Sequence, residues 1–368
     1  MSGFSDVRRI TRRVVSILAT VGLLSGMLAV TSGPASAAGP RTCSVENTTL
    51  PASYTGVTGS VLQTAIHAAR SGDTLAVRGT CVGNFTIVAK TLTLMGKPTH
   101  GHPVTTLDGN GSGSVLNIGS GAVVTLTDLL ITGGSGSFHG IYGPYGGGIH
   151  NNGTLTLDGS AAVSTNTAET GGGIANFGTL TLNDSARVNG NTASFSSGGI
   201  YIFLGTLTLN DSAQVDGNVA QYGGAIQSAS GTVTLNGSAR LSGNTAEQEG
   251  GGISTGDGTL TLNDSARIND NTAAQGGGII IGEGSTVTLN DFAQVNRNTA
   301  DADQSEPNAG FGGGINQISG SLTLNDSAQV RGNRASADGG GIYHGGGIMN
   351  GAIAGGNVYK NKPNDIAP

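Results

Sequence analysis

The residues best suited to chemistry in this 368-residue chain are aspartates that recur in step with a repeat of about 26 residues. Two carboxylates held about 5 Å apart can act as the nucleophile and general acid of a glycosidase. Adjacent strands of a sheet lie about 4.8 Å apart, so aspartates in stacked repeats would reach that separation. A catalytic site is expected as a local break in a pattern, however, and Asp is a preferred turn residue, so the pattern favours a turn role. The aspartates are Asp158, Asp184, Asp211, Asp264, Asp291 and Asp326.

A cluster of ring-bearing side chains does break the pattern, in a chain with only 4% aromatic residues. It consists of His139, Tyr142, Tyr145 and His150, just before the regular repeats begin. Aromatic rings offer an apolar face with a polar edge, which suits contact with a glycan or a protein. We take these four residues as the candidate binding site. Ordinary surface side chains at an irregular coil are the alternative interpretation.

A second break is an insertion from Asp301 to Phe311 that lengthens one repeat by about ten residues. Loops that project from a solenoid often carry function. Its carboxylates, Asp301, Asp303 and Glu306, lack the spacing of an EF-hand calcium loop. The sequence therefore favours a solvated loop, and we assign no metal site, cofactor or catalytic residue to this chain.

Pairs of threonines form a third pattern, a Thr-x-Thr phrase at the same place in successive repeats. With the intervening residues inside, the hydroxyls would face outward in a grid of about 6.7 by 4.8 Å. Such a grid resembles the surface of ice-binding β-helices, although Thr is also simply a good outward strand residue. The pairs are Thr154/Thr156, Thr179/Thr181, Thr206/Thr208, Thr232/Thr234, Thr259/Thr261 and Thr286/Thr288.

All three patterns depend on an internal repeat, which also explains the 66 glycines of the chain. A glycine run ends in an isoleucine at Ile149, Ile174, Ile200, Ile226, Ile253, Ile279, Ile315 and Ile342. An asparagine follows in the same rhythm at Asn166, Asn191, Asn218, Asn244, Asn271, Asn298, Asn333 and Asn361. A fixed period of this size indicates a solenoid, in which each unit buries its apolar face on its neighbours.

Within one repeat the apolar residues alternate with a period of two. Leucines and threonines alternate over Thr179–Leu182, Ala186 and Val188 mark a second short strand, and Ile174 marks a third. Three short strands in each unit predict an all-β, right-handed parallel β-helix of about ten coils. Glycine runs would form the corners, and stacked asparagines would form amide ladders at a turn.

The N-terminal part should close the first coil. Residues 60–69 place Val61, Leu62, Ala65, Ile66 and Ala69 on one face of a short helix that would cap the solenoid. The two cysteines, Cys43 and Cys81, form an even set that favours one disulfide in an oxidising compartment, with a reactive or metal-binding thiol pair as the alternative. We divide the chain into residues 38–72, with the capping helix, and residues 73–368, the β-helix.

Residues 1–37 are typical of an export signal. Four arginines precede an apolar stretch, and Ala35-Ser-Ala37 is a small-x-small cleavage site. An uncleaved anchor and twin-arginine export remain open alternatives. Cleavage would change the formal charge from −6 to −9 and leave no membrane span, and such an acidic chain does not suit nucleic acid. We therefore expect a secreted protein, free or associated with the cell surface.

Two sets of motifs resemble known families. The phrases Asn218-Val-Ala220 and Gly223-Gly-Ala-Ile226 are similar to the repeat of polymorphic outer-membrane proteins, a group of surface adhesins. The opening of the mature chain resembles, in order, that of secreted β-helix proteins of the pectin-lyase-like superfamily. It does so in Leu62-Gln-Thr-Ala-Ile66, Gly72-Asp-Thr-Leu75, Gly83-Asn-Phe-Thr-Ile87, Leu92-Thr-Leu-Met-Gly96 and Leu107-Asp-Gly-Asn-Gly111.

These resemblances imply a fold strongly and a function weakly. We expect a non-catalytic binding or structural protein whose long sides contact a polysaccharide or a cell-surface protein. A polysaccharide lyase or glycoside hydrolase is the first alternative, because such enzymes are common in the superfamily. An ice-binding protein is the second. The sequence leaves the oligomeric state open.

Overall fold

The computed structural model describes residues 42–56, 60–100, 103–139, 142–301 and 309–368. The predicted export signal, residues 1–37, lies outside these ranges. The described residues form an all-β parallel solenoid of about ten coils, which confirms the predicted fold class. Each regular coil passes through four sheets, which we name C, A, B and D in the order in which the chain enters them.

Sheets A and B run along two adjacent sides of the solenoid and share the long strand Asp73–Val82. Sheet A also contains Cys43–Asn47, Ala52–Gly56, Thr91–Gly96, Val123–Thr127, Thr154–Asp158, Thr179–Leu182, Thr206–Leu209, Thr232–Leu235, Thr259–Leu262, Thr286–Leu289, Ser321–Leu324 and Ile348–Asn350. Sheet B continues with Thr105–Asp108, Leu129–Thr132, Ala162–Ser164, Arg187–Asn189, Gln214–Asp216, Arg240–Ser242, Arg267–Asn269, Gln294–Asn296, Gln329–Arg331 and Val358–Tyr359.

Sheets C and D meet at the glycine corner. Sheet C contains Phe85–Ile87, Leu116–Ile118, Ile149–Asn151, Ile174–Asn176, Ile200–Phe203, Ile226–Ala229, Ile253–Gly256, Ile279–Ile281, Ile315–Gln317, Ile342–His344 and Ile366–Ala367. Sheet D contains Ser137–His139, Tyr142–Tyr145, Thr167–Thr170, Thr192–Ser196, Val219–Tyr222, Thr245–Glu249, Thr272–Ala273, Thr299–Ala300 and Arg334–Ala335. The three strands predicted for each repeat are those of sheets C, A and B, and sheet D is a fourth that the sequence did not reveal.

The core forms because equivalent apolar residues stack on one another from coil to coil. Leu180 pairs in register with Leu207, and Leu182 with Leu209, and all four are fully buried. Ile174 and Ile200 stack in the same way in sheet C. Their alternating neighbours point outward, so each strand contributes one apolar face to the interior.

The glycine corner between sheets D and C requires glycine for two reasons. Gly171 adopts a positive φ of 65°, which a residue with a side chain rarely adopts. At Gly172, a Cβ atom would lie 2.4 Å from the carbonyl oxygen of Thr192 in the next coil. The corner therefore brings backbones too close together for any larger residue, which accounts for the repeated glycine runs.

A ladder of buried asparagines satisfies the backbone between sheets B and D. From Asn191 onward, each Oδ1 accepts both the backbone N–H and the Nδ2–H of the asparagine one coil earlier, as Asn244 does from Asn218 at 2.9 and 3.0 Å, and Asn166 Oδ1 accepts the N–H of Gly134 at 3.0 Å. This confirms the predicted amide ladder. Its members are at most 7% exposed and are Asn166, Asn191, Asn218, Asn244, Asn271, Asn298, Asn333 and Asn361.

The first coil is covered by a helix and two antiparallel strands. The helix Ser60–Ala68 buries Leu62, Ala65 and Ile66, as the sequence predicted for a cap. Strand Cys43–Asn47 pairs antiparallel with Asp73–Val82, and the disulfide between Cys43 and Cys81 joins these two strands. The predicted disulfide is therefore confirmed, and the edge of the first coil is protected from pairing with another chain.

Candidate functional site

The aspartates that first suggested chemistry hold the corner between sheets A and B. Each adopts a left-handed backbone with φ of 53–56°, and Asp264 Oδ2 accepts the N–H of Gly237 from the preceding coil at 2.8 Å. These turn aspartates are Asp184, Asp211, Asp264, Asp291 and Asp326. The turn role favoured by the sequence thus has a definite geometry.

The prediction that Asp158 is one of the turn aspartates is wrong. It pairs in sheet A with Thr127, one residue before the turn position, where the structure has Gly159 with φ of 62°. The N–H of Gly159 is donated to Asp184 Oδ2 at 3.2 Å. Across the described ranges, no group of three or more His, Cys, Asp or Glu side chains is arranged to hold a metal ion.

Two of the four predicted site residues, Tyr145 and His150, meet in an aromatic cluster built around Phe177. The ring of Phe177 lies 5.9 Å from that of Tyr145 and 5.1 Å from that of His150. It also lies 6.3 Å from the rings of Tyr201 and Phe203, one coil further on. Aromatic pairs at such separations attract each other beyond their burial. We call these five residues the aromatic cluster.

The cluster spans the corner of sheets D and C across three coils. Tyr145 lies on sheet D, whereas His150 and Tyr201 share one row of sheet C with Ala175 between them. The small side chain of Ala175 allows Tyr145 to reach within 6.0 Å of Tyr201, and burial together with Tyr145 raises the pKa of the Tyr201 hydroxyl. His150 is buried, with 4% of its surface exposed, so the rings that face solvent are the half-buried Tyr145, Phe177 and Tyr201 and the exposed Phe203.

The far edge of the cluster is exposed and strained. Phe203 is 43% exposed, and Leu204, which follows it, is 68% exposed with a positive φ of 57°. In the next two coils this left-handed position holds Ser230 and Asp257. An exposed leucine in a left-handed conformation costs of the order of 1–2 kcal/mol in backbone energy, which a binding role would explain.

The sequence singled out Tyr145 and His150 but not Phe177, Tyr201 and Phe203. Eight of the 15 Phe and Tyr residues fall between positions 138 and 222. This enrichment was a usable signal, but Phe177 is 27 positions from His150 and becomes its neighbour only through stacking. A further ring pair, Phe195 and Tyr222, lies on sheet D with ring centroids 5.4 Å apart.

The other two predicted site residues, His139 and Tyr142, face each other in the antiparallel pairing that opens sheet D. Their side chains lie outside what the structure describes, so their place in the site stays a prediction. Most of the predicted insertion, residues 302–308 with Asp303 and Glu306, also lies outside the described ranges. Asp301 is exposed, and its N–H is donated to the carbonyl oxygen of Ala273 at 2.9 Å.

The threonine pairs form the outer face of sheet A. Thr179, Thr206 and Thr232 are in register, and the second threonine of each pair is in register as well. This alignment of the threonine pairs continues from the strand that begins at Thr154 to the strand that begins at Thr286, and the one charged residue of these strands is Asp158, at the end of the first. The predicted grid of hydroxyls is therefore present.

Comparison with known proteins adds no assignment. No family model, curated protein or solved structure matches the chain. In the part of the chain that the structure describes, no helix has both the length and the apolar character needed to cross a membrane.

Proposed function

We propose that this protein is a secreted, non-catalytic β-helix that binds a glycan on the aromatic cluster. The observation that carries the proposal is Phe177, whose ring is within 6.3 Å of four other rings in a chain with only 4% aromatic residues. A pyranose presents an apolar C–H face and polar hydroxyl edges, which match a row of rings bordered by tyrosine hydroxyls.

Binding without turnover is supported by the uniformity of the coils. The turn aspartates recur as one ladder, and in most coils their carboxylates accept backbone N–H groups at the corner. The resemblance to pectin-lyase-like proteins favours a polysaccharide ligand, and the resemblance to adhesin repeats favours attachment. We assign the protein to the extracellular side on the basis of residues 1–37, and the disulfide supports this location.

The test is binding of the purified protein to a panel of neutral cell-wall polysaccharides, by affinity electrophoresis and titration calorimetry. Two variants use residues that the repeat itself places in the same rows: Phe177→Asn, as at Asn152, and Tyr201→Gln, as at Gln227. Each should weaken binding roughly two- to tenfold, since an aromatic contact contributes about 0.5–1.5 kcal/mol.

Phe292→Ser is the matched control. Phe292 is 63% exposed, has no ring partner in the described ranges, and stands where other repeats have serine. It should leave affinity unchanged. Absence of polysaccharide binding, or equal affinity of all three variants, would refute the glycan proposal. Release of reducing ends or unsaturated products would refute its non-catalytic part.

Ice binding is the second candidate, because the threonine pairs of sheet A keep their register over six coils. A regular array of outward hydroxyl and methyl groups is the feature that would match an ice surface. Thermal hysteresis of the purified protein is the measurement, with Thr234→Lys at the centre of the array as the disrupting variant. Ice growth that is unaffected by the unaltered protein would eliminate this function.

A further inference from the structure

The outer face of sheet B carries arginines whose charge the described residues balance only in part. One row of this face runs through successive coils in register. Its members are Leu130, Ala162, Arg187, Gln214, Arg240, Arg267, Gln294 and Gln329. From Arg187 onward each position of the row is thus either an arginine or a glutamine.

The arginines of this row are unfavourable for the solenoid itself. Arg240 and Arg267 are directly in register, and like charges opposed across adjacent strands destabilise a sheet. In the described part of the chain, no carboxylate lies within 4.0 Å of either guanidinium, or of that of Arg187. Arg240 donates a hydrogen bond to Gln214 Oε1 at 2.9 Å. Glutamine fills the same row without this repulsion, so the arginines need another explanation.

The nearby acidic groups do not neutralise this face. Asp216 is on the neighbouring row, where burial raises the pKa of its carboxyl and Arg240 and Arg187 lower it. It is one carboxylate against three arginines, and Arg331 adds a fourth positive charge to the same sheet. The turn aspartates lie at the edge of the sheet and accept backbone N–H groups there. The face is therefore basic within an acidic protein of net charge −6.

A groove of about 610 Å³ lies at the N-terminal end of the same row. Pro98, Pro103 and Val104 form one wall, and Leu130 and Ala162 line it as members of the row. The groove is thus apolar where the row has no arginine.

The groove is polar on the side of the next coils. Ser160, Ser164, Arg187 and Asn189 line it there. The groove also contains one carboxylate, that of Asp128, whose Oδ1 accepts the N–H and the Oγ–H of Ser160 at 2.9 and 2.7 Å, so the sugar held in the groove is an uncharged one. Hydroxyl and amide groups can donate to and accept from sugar hydroxyls, whereas a guanidinium can donate two parallel hydrogen bonds to the two oxygens of a carboxylate or to two oxygens of a sulfate. The groove and the arginine row meet at Arg187, which belongs to both, and together they form one track. Arg187 and Arg267 are three strand spacings apart along it, or about 14 Å.

We propose that this sheet B track binds a linear anionic glycan, with one sugar in the groove and the carboxylate or sulfate groups of later sugars on Arg187, Arg240 and Arg267. Gln214, which lies between Arg187 and Arg240, contacts a sugar hydroxyl between their charged groups. This site is separate from the aromatic cluster, which lies on sheets C and D. The protein therefore has two ligand faces, and the second selects by charge.

The experiment measures binding of the purified protein to alginate and heparin oligosaccharides, as carboxylate and sulfate probes, with dextran and a single-stranded oligonucleotide as comparisons. We expect binding to alginate, heparin or both, and weak binding to dextran and the oligonucleotide. The variant Arg187→Gln/Arg240→Gln/Arg267→Gln uses the glutamine that the repeat places in this row. Each exposed ionic contact accounts for up to about a fivefold change, so the triple variant should lose up to roughly a hundredfold in affinity.

Two controls make the result specific. Arg334→Gln removes a positive charge from sheet D and should leave anionic-glycan affinity unchanged, as should Phe292→Ser, which removes an exposed ring outside the arginine row. If the aromatic cluster binds no glycan, we still expect the protein to bind an anionic glycan and the triple variant to lose that binding. Absence of binding to both anionic glycans would overturn the inference, as would equal affinity of the triple variant. An equal loss in Arg334→Gln, or equally strong oligonucleotide binding, would reduce it to general charge attraction and overturn it as well.

Discussion

Replacement of Asn244 by alanine tests how much the buried asparagine ladder stabilises the solenoid. Asn244 Oδ1 accepts the backbone N–H of Asn218 at 2.9 Å and its Nδ2–H at 3.0 Å. Asn244 Nδ2 donates to Asn271 Oδ1 and to the carbonyl oxygen of Val215, both at 2.9 Å. The substitution therefore leaves two buried donors of Asn218 without an acceptor.

The expected cost follows from these two donors. A buried polar group that loses its partner costs about 1–3 kcal/mol, so Asn244→Ala should lower the free energy of unfolding by roughly 2–6 kcal/mol. Asn271 Oδ1 still accepts the backbone N–H of residue 244 at 2.9 Å, which limits the damage on that side. Equilibrium unfolding in urea, followed by far-UV circular dichroism, measures the change.

Asn236→Ala is the matched control, because Asn236 belongs to a second asparagine row that is only half-buried. Its side chain makes one hydrogen bond to Asn210 at 2.9 Å and accepts one from Asn263 at 2.8 Å, and water can replace both. We expect a loss of about 1 kcal/mol or less. If the two variants differ by less than about 1 kcal/mol, the ladder does not stabilise the solenoid through buried hydrogen bonds. A change in the slope against urea would show partial unfolding of a few coils, which solenoids permit.

Three further predictions concern the cap, the turn and the response to pH. Cys43→Ser/Cys81→Ser should lower stability by about 3–4 kcal/mol, from the entropy of a loop spanning 38 residues, and reduction of the unaltered protein should give the same drop in thermal midpoint. Asp264→Ala should be less stable than Asp264→Gly by about 1 kcal/mol in urea, because only glycine adopts φ of 56° without strain, as Gly237 does in the preceding coil. Burial raises the pKa of Glu249, so its charged form is less favourable in the folded state, and its effect on stability worsens as pH rises from its ordinary pKa through the raised one. Glu249→Gln should therefore stabilise the protein at pH 7 and have little effect well below the ordinary pKa of glutamate, and equal effects at both pH values would contradict this.

The coils were predictable because their signals are local and repeated. The alternation of Leu180 and Leu182 with threonine has a period of two, and the inward residues are fully buried as that period requires. The strand Thr192–Ser196 escaped prediction because the phrase Asn-Thr-Ala offers too few alternating residues to distinguish a strand from a turn. The antiparallel strand Cys43–Asn47 escaped for another reason: it pairs with a segment about 30 residues away and belongs to no repeat.

The candidate site was predictable only in part, because its members come from three coils. Tyr145 and His150 are close in sequence and drew attention as a break in the pattern. Phe177 and Tyr201 are 27 and 51 positions from His150, and only the register of sheet C shows that Tyr201 lies in the row of His150. The arginine row was hidden for the same reason, since its members are 27 to 53 positions apart.

In a solenoid of this kind, each row has a usual residue, and a departure from it is informative only when departures in neighbouring coils meet. Phe292 departs from the usual serine but stands alone at 63% exposure, so nothing indicates that it does more than cover its turn. Phe177 departs from a row that holds Asn152 and touches four rings. Arg240 and Arg267 lie in adjacent coils of a row that holds three arginines and three glutamines from Arg187 onward, and they repel each other. Departures that are adjacent, exposed and unfavourable to the fold have no structural reason to occur together, and that combination separates a binding surface from ordinary variation in the repeat.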